Sequence, residues 1–317
     1  MRVTGMNHAV QEIDHQGWAM GCFEPEAGPE RPFDVLFLHG MAAGSWVWTP
    51  EWLDRFGQQG YRGWTMTLPG REAGGTIGSD PDAFERAMAK ALQTGDLGVA
   101  ADALAAILPG APLFDGPDLD DYTDALAEAL AAVGRPTVVV SHSLGGAVAQ
   151  NLLRRGMRPA GTVLVCSAPP YGLWRASMEM ALTNLPLWKA MFDFSLFGVA
   201  AADLSVLRAN LFPNGIEDRL FGKLMSRFTD ESLAATSRTP GFPPFAPLPG
   251  PRSDMLVIGA SQDRFVPPLD VHLTGYYYGT RPQIIEGAGH MPMFEPDFAA
   301  QTAGTILDWL GRYGARV

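Results

Sequence analysis

A chain of 317 residues with 34 acidic and 23 basic side chains, a net charge of -11, can bury a substantial core as one large domain or two small ones. Its negative field repels phosphates, which argues against nucleic acid or an anionic membrane as partner. Two cysteines, Cys22 and Cys166, do not make a disulfide framework. The amino terminus MRVTGMNHAVQEID has no apolar h-region, and no apolar run reaches membrane-spanning length, so a cytoplasmic protein is expected.

In chain order, VQEID and WAMGCFE, separated by HQG, predict an antiparallel hairpin at one sheet edge. Six short β-rich runs follow: DVLFLHG at 34–40, RGWTMTL at 62–68, PTVVVSH at 136–142, GTVLVCSA at 161–168, DMLVIGA at 254–260 and RPQIIEG at 281–287. They are continuously apolar rather than alternating, the pattern of strands covered on both faces in a parallel sheet. Helical patterns lie between them near 47–59, 119–133, 145–156 and 297–312. Two segments break the alternation. Residues 73–116 open with GGTIGSDPD, where Ser79 or Asp80 can cap a helix carrying Pro81 in its first turn, and close with the loop LPGAPLFDGPD. Residues 169–253 are dense in Trp, Phe, Met and Leu and end in TPGFPPFAPLPGP, a pattern that reads as a helical lid over an apolar pocket, with helices packed on a core as the alternative. The expected organisation is a core of 1–170 and 251–317, with the insertion at about 73–116, and a lid of 171–250.

The run VVVSHSLGG at 138–146 places Ser143 between a β-branched strand and a small-residue helix start. That is the pattern of a nucleophile elbow, Gly-x-Ser-x-Gly, in which a sharp strand-to-helix turn lifts the serine hydroxyl above the sheet. Ser141 replaces the first glycine, while Gly145 and Gly146 stand. A serine becomes a nucleophile only when a base takes its proton and a third group fixes that base's tautomer. SQDRFVPP puts Asp263 just beyond the strand DMLVIGA, and AGHMP puts His290 just beyond RPQIIEG. All three then gather at the carboxyl ends of parallel strands, in the order Ser, Asp, His. Singly, Asp263 is a turn-capping loop aspartate and His290 an ordinary loop histidine; together they read as a triad. Asp254, at a strand start, reads as a solvent-facing turn residue.

Acyl transfer also needs backbone N–H groups aimed at the developing oxyanion. Leu144, directly after Ser143, is one candidate, and Met41, in the turn that His39 and Gly40 begin, is the other; His39 is expected to be hydrogen-bonded internally. Trp46 and Trp48 are expected to anchor the following helix. His142 is expected to point away from Ser143, His272 sits on a helical pattern, and His8 and His15 belong to the hairpin. None has metal-ligand spacing with another His, Cys or carboxylate, so no catalytic metal is expected.

Taken together, LFLHGMAAGSWVW, LPGRE, SHSLGGAVAQ, GASQDRFVPP and EGAGHMPMFEPD resemble the α/β-hydrolase fold family, most closely its lysophospholipase-like and plant methylesterase-like esterases. The resemblance covers most of the chain except 73–116 and the middle of the lid. It implies an α/β fold with an eight-stranded, mostly parallel sheet, no cofactor, a triad of Ser143, His290 and Asp263, and an oxyanion hole from the Met41 and Leu144 N–H groups. Thr67 stands where many relatives have aspartate before LPG. The expected activity is a serine hydrolase acting on an ester or related acyl bond of a largely apolar small molecule. Carbon–carbon bond hydrolysis, perhydrolysis, and cyclisation or acyl transfer use the same triad and stay open, as does a weakly catalytic small-molecule-binding protein. Haloalkane dehalogenation, which needs an aspartate at Ser143, is disfavoured. Oligomeric state is not legible.

Overall fold

The computed structural model describes residues 13–15, 18–25, 31–71, 90, 94, 116–246 and 254–316. Eight strands form one sheet in the order β1-β2-β4-β3-β5-β6-β7-β8. They are β1 (Ile13–His15), β2 (Trp18–Phe23), β3 (Asp34–Leu38), β4 (Gly63–Thr67), β5 (Thr137–His142), β6 (Gly161–Val165), β7 (Met255–Ala260) and β8 (Gln283–Ile285). β1 and β2 pair antiparallel at one edge, and β2 also runs antiparallel to β4. Every pairing from β4 to β8 is parallel. The edge hairpin therefore lies where the sequence placed it, its residues 10–12 falling outside the described residues. The predicted strands end earlier than their apolar runs, because the residues at 39–40 and 166–168 turn off the sheet toward the site.

Side chains of successive strand residues face opposite sides. Val138 and Val140 of β5, with Val35 and Phe37 of β3, join a core with Trp52, Phe56, Ile306 and Leu310. Val139, Leu36 and Leu38 join another core with Leu126 and Val148. Helices α1 (Pro50–Gly57) and the carboxyl-terminal α10 (Pro296–Gly314) thus cover one face, and α2 (Leu119–Val133) and α3 (Leu144–Arg154) the other. Local chemistry sets their ends. Thr49 accepts from the Trp52 N–H ahead of Pro50 in α1. Asp118 and Asp121 form a capping box on α2, whose end is turned by Gly134 at φ 66°. Val47, where the first predicted helix begins, belongs instead to a separate 3-10 turn over Ser45–Val47.

Between β6 and β7 the described residues form five α-helices, α4 (Trp174–Thr183), α5 (Leu185–Phe197), α6 (Leu204–Leu211), α7 (Asp218–Met225) and α8 (Leu233–Thr236), and a 3-10 turn (Val199–Ala201). Helix α9 (Pro268–Tyr278) joins β7 to β8. The side chain of Arg175 on α4 forms an ion pair with the buried Asp270 on α9, tying this excursion to the core. The predicted insertion at 73–116 lies almost wholly outside the described residues. Among them, no helix is long and apolar enough to cross a membrane.

Candidate active site

Three non-glycine residues among those described have positive φ: Ala42 at 57°, Ser143 at 52° and Cys166 at 44°. They follow β3, β5 and β6 respectively, so backbone strain gathers at one end of three adjacent strands. Each such residue costs on the order of 1–3 kcal/mol and persists only where its surroundings over-determine it. At Ser143 they do. Its N–H donates to Val165 O at 3.1 Å, and its carbonyl accepts from Gly146 at 3.0 Å and Ala168 at 3.2 Å. Full burial of Val138, Val139 and Val140, each worth about 1.5–3 kcal/mol, more than offsets the strain.

Both glycines after the turn are needed for close approach. A Cβ on Gly145 would lie 2.3 Å from the His39 carbonyl oxygen, and one on Gly146 would lie 1.9 Å from Ser167 Oγ. At the other flank Ser141 fits because its hydroxyl donates to Val163 O at 3.1 Å, which satisfies a buried polar group. Ser143 is the N-cap residue of α3, a position where serine commonly bonds the first-turn N–H groups; here its side chain makes no such bond. The hydroxyl instead lies 3.1 Å from His290 Nε2.

His290 Nδ1 lies 2.8 Å from Asp263 Oδ2. Because a carboxylate only accepts, Nδ1 carries the proton and Nε2 is left to accept from Ser143. The other Asp263 oxygen accepts from the N–H groups of Phe265 at 2.8 Å and Val266 at 2.9 Å, so the carboxylate is fixed by the backbone of its own turn. The Phe265 ring packs on the imidazole, centroids 4.8 Å apart. The three side chains named from the sequence thus come together in one chain of contacts. Met41 and Leu144 line the same cavity, and among the described residues neither N–H has an acceptor within the chain. At Leu144 this follows from its place in the first turn of α3, where N–H groups have no intrahelical partner.

His142 makes a contact that its place in the sequence did not reveal. Its ring meets the His290 ring at 4.9 Å, and its Nε2–H donates to the His290 carbonyl at 2.9 Å, so it braces the loop that carries His290. Burial and the neighbouring His290 lower its pKa to about 3, keeping it neutral. His39 is bonded internally, as expected: Nδ1–H donates to Gly40 O at 2.8 Å, and Nε2 accepts from the Leu68 N–H at 3.0 Å. Burial, with Arg71 nearby, lowers its pKa to about 3 as well. Trp48 is buried in the core, while Trp46 packs against Phe228 of the β6–β7 excursion. Thr67 Oγ1 accepts from the Ser45 N–H at 3.1 Å and so serves the turn after β3.

Sequence reasoning missed three buried groups. Glu295 accepts from the Gly289 N–H at 2.6 Å and from Asn214 at 2.8 Å, clamping the His290 loop to the excursion; burial raises its pKa. Glu231 bonds the Ala42 N–H at 3.0 Å. Cys166 has its sulfur within 4.8 Å of ligand atoms of Asp263 and His290, a group with metal-ligating side chains that the spacing along the chain did not reveal. Burial and the Asp263 carboxylate push the Cys166 thiol well above its ordinary pKa, so it stays protonated. His290 and Asp263 already bond each other, and the donor set suits a proton network better than an ion.

Above Ser143 opens a cavity of about 380 Å³. Its walls include Met180 of α4, Trp188, Met191 and Phe194 of α5, Leu207 and Leu211 of α6, and Met225 of α7. Ser177, Ser195, Thr236, Ser237 and Thr239 contribute hydroxyls, and no Asp, Glu, Lys or Arg lines it among the described residues.

Solved structures with this architecture include an esterase from Thermogutta terrifontis in a malate-bound form, at 16% identity and TM-score 0.63, covering 96% of this chain and 98% of that one. An N-acyl homoserine lactonase, AidH, complexed with N-butanoyl homoserine, is similar at 17% identity and TM-score 0.59, covering 94% and 96%. The esterase EaEST from Exiguobacterium antarcticum is similar at 15% identity and TM-score 0.58, covering 95% and 98%. At these identities the likeness establishes the fold. No curated protein matches the chain. The profile described as "Alpha/beta hydrolase family" matches residues 35–302, most of the sequence, and with the strand order and the helices on both sheet faces it places this chain in the alpha/beta hydrolase family.

Proposed function

We propose that this protein is a serine hydrolase that cleaves ester bonds of largely apolar acyl compounds. The observation that carries the reading is a serine hydroxyl 3.1 Å from a carboxylate-held imidazole at the base of a cavity with no charged side chain among its described lining residues. His290 takes the Ser143 proton as Oγ attacks the carbonyl carbon. Asp263 holds the Nδ1–H tautomer and stabilises the imidazolium that forms. The Met41 and Leu144 N–H groups receive the oxyanion, each worth about 3–4 kcal/mol in comparable sites. His290 then protonates the leaving alcohol, and water, activated by the same imidazole, cleaves the acyl-enzyme. The helices of 171–250 act as a lid that supplies most of the apolar wall and keeps water from the acyl chain.

Placing a carboxylate in that cavity costs several kcal/mol with no cation to pair it. We therefore expect p-nitrophenyl hexanoate to be hydrolysed with a kcat/KM at least ~100-fold above that of mono-p-nitrophenyl adipate, an ester of the same chain length ending in a carboxylate. Steady-state rates for both esters check this. Equal values would overturn the apolar-substrate reading. Lactones are cyclic esters subject to the same chemistry, and a lactonase is among the proteins of this fold, so medium-chain acyl lactones belong in the same assay.

A further inference from the structure

Glu231 lies on the β6–β7 excursion, far in sequence from the residues it touches. Its Oε2 accepts from the Ala42 N–H at 3.0 Å and from Arg71 Nη2 at 2.6 Å. Its Oε1 accepts from the Tyr122 hydroxyl at 2.6 Å and from the Ser232 N–H at 3.2 Å. The side chain is fully buried and that of Arg71 nearly so. Two residues earlier, the Thr229 N–H donates to the Ala42 carbonyl at 2.9 Å. Both peptide groups of Ala42 are therefore held by the segment 229–231, at a residue whose φ of 57° an alanine does not adopt by preference.

We propose that Glu231 is a positioning residue of the active site, fixing the Met41–Ala42 peptide so that the preceding N–H, that of Met41, stays aimed at the space above Ser143. The inference rests on the esterase reading above. Two features separate this role from general packing. The bond to Ala42 acts on the backbone next to the proposed oxyanion donor, and Ala42 itself lines the cavity. All four partners of the carboxylate are donors, so only an anion with two accepting oxygens satisfies them. In Glu231→Gln the buried Arg71 loses its counter-charge, and the amide NH₂ faces either Ala42 with Arg71 or Tyr122 with Ser232; of these four only the Tyr122 hydroxyl can turn to accept, so at least one donor is left unsatisfied and the hold on the loop weakens. Tyr122 keeps its proton in the variant, because burial alone holds its pKa above the ordinary phenol value.

The test compares the unchanged chain with Glu231→Gln and Glu231→Asp, the latter keeping the charge opposite Arg71 but one methylene too short to reach Ala42. Two readouts are taken on folded enzyme: kcat and KM for p-nitrophenyl butyrate, and the Ki of butylboronic acid. In the boronic acid adduct Ser143 Oγ bonds to boron, its proton passes to His290, and the four-coordinate anion mimics the oxyanion. Misaiming one of two donors should lower kcat about 10- to 100-fold with KM within about 2-fold, and raise the boronic acid Ki by a similar factor. If the glutamine variant does not fold, the aspartate variant is judged by the same numbers. A folded variant with unchanged kcat and boronic acid Ki, or one in which KM alone moves, overturns the proposal. Ser143→Ala distinguishes the two levels: if it turns over the ester like the unchanged chain, the esterase reading itself falls, whereas an inactive Ser143→Ala beside a fully active Glu231→Gln removes only the positioning role.

Discussion

Ser143→Ala should lower kcat for p-nitrophenyl butyrate by about 10⁴- to 10⁶-fold, the range seen when a triad nucleophile is removed and only binding and oxyanion donors remain. The fold should be untouched. Ser143 Oγ makes no capping bond to α3, and its bond to His290 is one that water can replace, so the deletion removes no structural support. The strained φ of 52° is set by the main-chain bonds of the turn and not by the side chain. Initial rates together with the urea midpoint check both halves of the prediction. An unchanged rate contradicts the assignment of the nucleophile. A large fall in midpoint would mean that the hydroxyl supports the turn after all.

Asp263→Asn should be nearly as damaging, about 10⁴-fold in kcat, although it changes one atom type. The geometry dictates how the amide sits. One carboxylate oxygen accepts two backbone N–H groups, from Phe265 and Val266, and only the amide oxygen can replace it. The NH₂ is then forced toward His290 Nδ1, which must give up its proton and accept. The imidazole proton moves to Nε2, facing Ser143, and the base can no longer take the hydroxyl proton. KM should hold, since Asp263 does not line the cavity. A variant with kcat within 10-fold of the unchanged chain would show that Asp263 does not set the tautomer.

Much of this was legible in the chain because the relevant constraints are local. The runs VVV at 138–140 and MLVI at 255–258 signal buried parallel strands, since no other element of that length is continuously apolar and β-branched. Gly145 and Gly146 signal close backbone approach, and the loops after two such strands deliver Asp263 and His290 to the same end of the sheet. Asp118 and Gly134 bound α2 at its predicted residues by capping chemistry alone. What stayed hidden depends on contacts between distant segments. Glu231 meets Ala42 across 189 residues and Tyr122 across 109, and nothing about a glutamate before a serine marks it as buried. Cys166 looked like a small thiol in an apolar strand, which it is by burial, but its φ of 44° turns it beside Asp263 just past the end of β6. The contact of His142 with His290 also spans 148 residues and has no local sign in the chain. Strand order likewise had no local signature, since the insertion of β3 between β4 and β5 is decided by how the crossovers pack.

If Ser143 is the nucleophile, it forms a covalent acyl intermediate inside the apolar cavity. Rapid acid quench of the enzyme with p-nitrophenyl hexanoate, followed by peptide mass spectrometry, measures this directly. A hexanoyl adduct should appear on the peptide carrying Ser143, formed in step with the burst of p-nitrophenol and absent from Ser143→Ala. Turnover of the ester with no adduct on Ser143, or with the adduct on another residue, would contradict it.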